Sequence, residues 1–186
     1  DDAVPSLYSN LSHSRQRFVL AVSRQTATGV DVEYCARKRR VSRLTQRDFT
    51  AAEADWLLGL PLEQQQSAFY HLWTLKEAFM KARGLGQALA LDAFEFDLSR
   101  AGRIGFVPDP DAASESGVAT ADWRCWSLDD PMVEPGAINR HALALVLGQS
   151  EGRGVGSASI PSAFRYGLEG GDEALTLKVL ASSVGV

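Results

Sequence analysis

The chain opens its readable pattern with Phe18-Val19-Leu20-Ala21-Val22, an unbroken apolar run of strand length that predicts a buried strand. Thr28-Gly29 then turns the chain into a second strand, where Val30 and Val32 alternate with Asp31 and Glu33. Thr50 and Glu53 have the spacing of a capping box, which predicts a helix that starts there and runs through Trp56 and Leu57 to Gly59. A longer helix follows, from about Pro61 or Leu62 to Arg83, with Phe69, Leu72, Trp73, Ala78 and Phe79 spread so that much of its circumference is covered. Gly84-Leu85-Gly86 closes it, as a glycine after the last helical turn does. Beyond the helix the pattern turns to strands, over residues 93–98, 103–107, 123–128 and 141–147. Residues 108–118 read as a polar loop, 152–159 as a small-residue linker, and 174–180 as one more strand. No internal repeat is visible.

Bulk properties narrow the picture. With 186 residues and 45% hydrophobic content, the chain buries a real core, as one large domain or two small ones. A net charge of -4 offers no global attraction to nucleic acid or to an anionic membrane. The longest apolar run, Ala142-Leu143-Ala144-Leu145-Val146-Leu147, is strand-sized and far short of the eighteen or so residues of a membrane helix. The first residues, Asp1-Asp2-Ala3-Val4-Pro5, lack the basic start and apolar stretch of a secretory signal. Cys35 and Cys125 show neither metal spacing nor a disulfide framework, and a reducing cytoplasm is the expected compartment.

Two short blocks carry the candidate chemistry. In Gly29-Val30-Asp31-Val32-Glu33, both carboxylates lie on one face of a strand, because side chains alternate with period two. In Trp73-Thr74-Leu75-Lys76-Glu77-Ala78-Phe79-Met80-Lys81, roughly forty residues later, Trp73, Glu77 and Lys81 fall on one stripe of a helix. If the two elements pack together, three acids meet beside a lysine. At roughly 5 Å and an effective dielectric of about 20, each carboxylate pair repels by about 3 kcal/mol. Such a cluster asks for a cation, and a hard divalent ion that also holds substrate phosphates is the natural candidate.

These blocks, with a third, resemble the signature of the 4′-phosphopantetheinyl transferases of the surfactin-synthetase-activating (Sfp) type. Asn10-Leu11-Ser12-His13-Ser14 is similar to the family's Asn-hydrophobic-Ser-His-Ser motif. Gly29 to Glu33 matches its Gly-hydrophobic-Asp-hydrophobic-Glu motif, and Phe69-Tyr70-His71-Leu72-Trp73 through Lys81 and Gly84-Leu85-Gly86 matches its Trp-x-x-Lys-Glu-Ala-x-x-Lys motif. Phe49-Thr50 with Glu53 fits a weaker element between them. The three occur in order, and the resemblance covers about residues 7–147. Family members of this type consist of two similar halves, so the resemblance implies that most of an N-terminal half, which supplies basic residues for the adenosine end of coenzyme A and covers one face of the second half, is missing here. The smaller holo-acyl-carrier-protein synthase type oligomerises instead, but its motifs fit less well. Gln87-Ala88 departs from the aliphatic residue that many relatives place after Gly86, a minor packing change.

The resemblance implies transfer of the phosphopantetheine arm of coenzyme A to a serine of an acyl or peptidyl carrier protein, with adenosine 3′,5′-bisphosphate leaving. It makes Asp31, Glu33 and Glu77 candidate ligands of magnesium (Mg2+, with Mn2+ as the substitute), Glu33 either directly or through a water. Glu77 is also the candidate general base for the carrier serine, and Lys81 the candidate contact to the coenzyme A pyrophosphate; Asp31, Glu77 and Lys81 are the expected catalytic set. Ser12 and His13 are expected to donate to coenzyme A phosphates. Lys76 is either a second phosphate contact or half of a structural ion pair. Gly29 either lets backbone approach the nucleotide or is a plain turn glycine. Phe69, Trp73, Leu75 and Phe79 read as core, and His71 and His141 as structural.

Arg37, Lys38, Arg39, Arg40, Arg43 and Arg47 form a basic segment without an acid among residues 37–47. It reads as a solvated face, as a dock for an acidic carrier protein, or least of all as a nucleic-acid contact, since no aromatic interleaving accompanies the charge. The expected fold is α+β, an antiparallel sheet packed against the helices of residues 50–83, with a transferase domain over residues 1–150 and a linker and tail over 151–186. The expected protein is a cytoplasmic, magnesium-dependent transferase serving fatty-acid, polyketide or non-ribosomal peptide synthesis, with no nucleic-acid or membrane partner. Self-association or pairing with an N-terminal half is expected to cover its open face. The rival is a non-catalytic module that binds coenzyme A or carrier protein.

Overall fold

The structure is a computed structural model, and it describes residues 7–15, 17–23, 26–36, 38–84, 86–100, 103–107, 123–129, 141–148 and 175–181. The loop expected over 108–118, the linker over 152–159, the boundary at residue 150 and Arg37 lie outside the described residues. In chain order the elements are β1 (Tyr8–Ser14), β2 (Arg17–Ser23), β3 (Thr28–Tyr34), α1 (Val41–Asp48), α2 (Ala51–Gly59), α3 (Leu62–Arg83), β4 (Glu95–Asp97), β5 (Gly105–Val107), β6 (Trp123–Asp129), β7 (His141–Gly148) and β8 (Leu175–Ala181). All strand pairing is antiparallel, in sheets ordered β1-β2-β8, β3-β7-β6 and β4-β5. The fold is α+β, with antiparallel sheets packed against helices, as the pattern predicts.

The middle sheet explains the longest apolar run. On β7, Ala142, Ala144 and Val146 join the core around α3, while Leu143 and Leu145 join a second cluster with Val19, Ala21, Val30 and Val32. A strand buried on both faces needs no alternation, and here the smaller residues stand on the helix side. β3 lies beside β7 in the register Gly29↔Val146, Asp31↔Ala144 and Glu33↔Ala142. Its valines therefore face the β1-β2 layer, and Gly29, Asp31 and Glu33 face α3.

The helices form where local chemistry demands. Thr50 caps α2: its Oγ1 accepts from the Glu53 amide at 3.3 Å, and Glu53 Oε2 accepts from the Thr50 amide at 3.0 Å. α3 is buried on most of its circumference and ends at Gly84, whose φ of 67° is the left-handed value that glycine adopts without steric cost. Phe79 sits among Phe94, Phe106 and Trp123, with ring centroids at 4.7, 4.8 and 5.1 Å. Phe69 stacks between Phe49 and Trp73 at 5.5 and 5.8 Å. These aromatics and Leu75 are core, as expected.

Three elements differ from the sequence expectation. Residues 10–14, outside every element expected above, belong to strand β1, because polar side chains on alternate positions have partners on a neighbouring strand. Part of the basic segment coils into α1, held by Val41 and Leu44 packed on the core. The strand expected over 93–98 shrinks to β4, since the 3-10 turn Leu91–Ala93 takes its start. Among the described residues, no helix is long and apolar enough to cross a membrane, and neither Cys35 nor Cys125 forms a disulfide.

Candidate active site

β3 and α3 touch where Gly29 lies under the helix. A Cβ at Gly29 would stand 1.9 Å from the Ala78 carbonyl oxygen and 2.5 Å from the Ala82 amide nitrogen. Gly29 is therefore neither a nucleotide-approach glycine nor a plain turn residue. It is what lets the strand and the helix come together, and so what carries Asp31 under Lys81.

Asp31 is buried, and its Oδ1 accepts from Lys81 Nζ at 2.7 Å and from Ser12 Oγ at 2.8 Å. Its Oδ2 is buried with no hydrogen-bond partner among the described residues. Burial pushes the Asp31 carboxyl above its ordinary range, against the pull of the Lys81 charge and the hydrogen bonds from Lys81 and Ser12. Lys81 Nζ gives its remaining bonds to Ser12 Oγ at 3.1 Å and the Val30 carbonyl at 3.2 Å.

Glu77 lies one turn before Lys81 on α3 and is half-buried. Burial first, then repulsion from Asp31 and more weakly from Glu33, raises its carboxyl, while Lys81 opposes them. The three acids and the lysine expected to meet do share one electrostatic neighbourhood. Among the described residues, however, no three His, Cys, Asp or Glu side chains converge closely enough to hold a metal ion as they stand. The Lys81 ammonium occupies Asp31 instead.

β1 is fixed to this site by its side chains. The Val30 amide donates to Asn10 Oδ1 at 3.0 Å, the Val32 amide to Ser12 Oγ at 3.3 Å, and the Tyr34 amide to Ser14 Oγ at 2.9 Å. β3 is the edge of its own sheet, and three side chains of β1 satisfy the amides that a neighbouring strand would otherwise take. Ser12, expected at a coenzyme A phosphate, here gives its single proton to Asp31, and its oxygen accepts from Lys81 and the Val32 amide. His13 points from the opposite face of β1, where it is exposed and stacks on Phe18 with centroids 5.6 Å apart.

Lys76 is committed to a partner on another helix. It is fully buried, and its three donors go to Glu53 Oε2 at 2.8 Å and to the Leu91 and Phe94 carbonyls at 2.7 and 2.6 Å. Nothing remains for a phosphate; of the two readings of Lys76, the structural ion pair is the one realised. Glu53 also accepts from the Phe96 amide at 2.8 Å, so one carboxylate ties α2, α3 and β4 together. Sequence reasoning missed this second role of Glu53, and also Asn10 and Ser14. The period-two polar spacing of Asn10, Ser12 and Ser14 was the available signal.

Arg15 and Arg39 line a cavity of about 140 Å³ with Ser14, Glu33 and Tyr34, at the margin of the acids. Arg15 has φ 58° and sits over the Tyr34 ring, 5.0 Å from its centroid. Arg39 Nε donates to the Tyr70 hydroxyl at 3.4 Å, Arg47 pairs with Asp48 at 2.6 Å, and Lys38, Arg40 and Arg43 are exposed. A larger cleft of about 600 Å³ between α2, α3 and β6 contains none of the acids; it is lined in part by His71, whose Nδ1 is 2.8 Å from Ser127 Oγ. His141 is buried against Tyr34 at 5.2 Å, structural as expected.

Residues 27–146 match the family model of the 4′-phosphopantetheinyl transferase superfamily. The chain is 38% identical over 110 residues to the 4′-phosphopantetheinyl transferase psf-1 of Bacillus pumilus, covering 59% of this chain and 46% of that protein. It is 32% identical over 118 residues to the 4′-phosphopantetheinyl transferase Sfp of Bacillus subtilis, covering 63% and 50%. The chain thus spans about half the length of these relatives. Among solved structures, it is similar in fold to a holo-(acyl-carrier-protein) synthase from Bacillus anthracis in complex with CoA (3′,5′-ADP), with a TM-score of 0.52, 17% identity, and coverage of 68% of this chain and 97% of that one. A holo-[acyl-carrier-protein] synthase from Neisseria meningitidis gives a TM-score of 0.51 and 19% identity, with coverage of 68% and 99%.

Proposed function

The chain belongs to the 4′-phosphopantetheinyl transferase superfamily, and from that premise we propose that it carries the reaction centre of a magnesium-dependent transferase moving 4′-phosphopantetheine from coenzyme A to a carrier-protein serine. The observation that carries this reading is the convergence on one strand–helix contact of Asp31, Glu77 and Lys81, with Glu33 felt by Glu77.

Asp31, Glu33 and Glu77 suit the cation by donor chemistry, and closing them around it requires side-chain movement from where they now stand. All are hard oxygen ligands, and among the described residues the buried Oδ2 of Asp31 has no hydrogen-bond partner to compete for it. These three residues would hold the magnesium ion, which when bound supplies neutralisation of phosphate charge. The rest of the chemistry belongs to the chain. Glu77, its carboxyl raised by burial and by neighbouring acids, accepts the carrier serine's proton more readily than an ordinary surface glutamate. The serine oxygen forms a bond to the pantetheine-bearing phosphorus, the bond from that phosphorus to the bridging oxygen breaks, and adenosine 3′,5′-bisphosphate leaves. Lys81 takes the pyrophosphate charge, and His13, exposed on β1, remains free to meet another phosphate.

The exposed Lys38, Arg40 and Arg43 are the proposed dock for an acidic carrier protein. The outer face of the β1-β2 sheet exposes Leu11 by 58% and Phe18 by 36%, which supports pairing with an N-terminal half or with another copy. The transferase domain is proposed to end near residue 150, and the protein to act in the cytoplasm, where coenzyme A and carrier proteins meet.

The test is mass spectrometry of an apo carrier protein incubated with the chain, coenzyme A and Mg2+, beside Glu77→Gln. Gain of one phosphopantetheine, abolished by EDTA and by the substitution, is the expected result. No gain with the upstream half supplied overturns the transferase reading and leaves a binding module.

A further inference from the structure

We propose that Lys81 is the resident counter-cation of Asp31, and that it gives up this carboxylate when a divalent ion binds. The inference rests on the proposed metal site and assigns Lys81 a task before any phosphate arrives.

Lys81 Nζ has three protons, and all three are used inside the protein, on Asp31 Oδ1, Ser12 Oγ and the Val30 carbonyl. A lysine held open for phosphate would keep at least one donor aimed at solvent. Asp31, for its part, is buried, and an ionised carboxylate there needs a positive partner. Lys81 supplies that partner at 2.7 Å.

The two oxygens of Asp31 are treated differently. Oδ1 holds Lys81 and Ser12, whereas Oδ2 is buried and bare. A divalent ion taking Oδ2 would stand within a few ångströms of the ammonium on Oδ1, and the two positive charges repel. Lys81 is the group able to yield. Its side chain is 28% exposed, and it ends a flexible four-carbon stem, while Asp31 is fixed on β3. Ser12 keeps its bond to Oδ1 when the lysine leaves, so the carboxylate stays oriented. The exchange also links the two substrates of the site. Lys81, once displaced from Asp31, would have its donors free for phosphate, so binding of the cation and of the phosphate would each favour the other.

Mn2+ alone, titrated against the full chain and followed by the electron paramagnetic resonance of the free ion, is the probe. Lys81→Met should bind Mn2+ at least about tenfold more tightly than the wild type, since the competitor is gone. A second readout uses the wild type and needs no folding of a variant: acetylation of Lys81, measured by peptide mass spectrometry, should accelerate when Mg2+ is added. Equal or weaker Mn2+ binding by Lys81→Met, or acetylation that Mg2+ leaves unchanged or slows, overturns the proposal. Asp31→Asn separates the two levels of failure. Loss of binding in Asp31→Asn with no gain in Lys81→Met keeps the metal site and removes the counter-ion role. Indifference of all three proteins to Mn2+ removes both.

Discussion

Gly29 lies so close beneath Ala78 that a Cβ on the glycine would meet the alanine carbonyl oxygen at 1.9 Å. The obstacle is helix backbone, which cannot rotate out of the way. Gly29→Ala should therefore force β3 and α3 apart and cost about 3 kcal/mol or more, the upper range of overpacking. Urea denaturation measures the loss, and a variant as stable as the wild type would show that the two elements tolerate separation.

Asn10→Ala should remove the acceptor of the Val30 amide while leaving the Ser14–Tyr34 bond in place. The expected cost is about 1–2 kcal/mol, that of an unsatisfied backbone donor. Amide hydrogen exchange by NMR should quicken at Val30 and remain slow at Tyr34.

Lys76→Met should leave the Glu53 carboxylate buried without its cation and destabilise the fold by about 3–5 kcal/mol. Coenzyme A affinity of the folded fraction should be unchanged, because the lysine faces the Leu91 and Phe94 carbonyls and not the acids. Calorimetric titration with coenzyme A checks the second half of this expectation, and a weakened affinity would restore Lys76 to the site. Burial already holds the Lys76 ammonium below its usual range, with the Glu53 charge opposing the shift.

Glu77→Gln should stabilise the protein in EDTA at neutral pH. Glu77 holds its proton more tightly in the folded state than in the unfolded state, through burial and then the charges of Asp31 and Glu33. Its favourable contribution is complete below the unfolded carboxylate value of about 4.3 and is lost as pH rises through the higher folded value. At pH 7 the ionised wild type pays that cost and the glutamine variant does not. A gain in Tm on the order of 1–3 °C is expected at pH 7, discounted for partial exposure, shrinking as the pH falls toward 4. Thermal melts across that range measure it.

Local signals were the legible ones. The Thr50–Glu53 box and the Gly84 stop depend on residues within one helical turn, so spacing alone reveals them. The acids of β3 and the Glu77–Lys81 stripe were legible as faces, because periodicity places side chains without knowledge of their neighbours. Lys76 was not, since its partner Glu53 comes from another helix and only packing brings the two together. Gly29 was ambiguous for the same reason: a strand glycine signals close approach without saying of what. Ser12 was expected at coenzyme A from the family motif alone; its place against Asp31 depends on how β1 packs on β3, which no local pattern reveals.

The side-chain rungs between β1 and β3 act as a ruler. Sliding β1 by one residue would bring Leu11 against an amide, and leucine has no oxygen to offer. Sliding it by two would restore acceptors but carry Ser12 away from Asp31 and Lys81. Strand alignment and charge placement thus share one specification, and a misaligned β1 would fold into a protein whose ionic centre is wired wrongly.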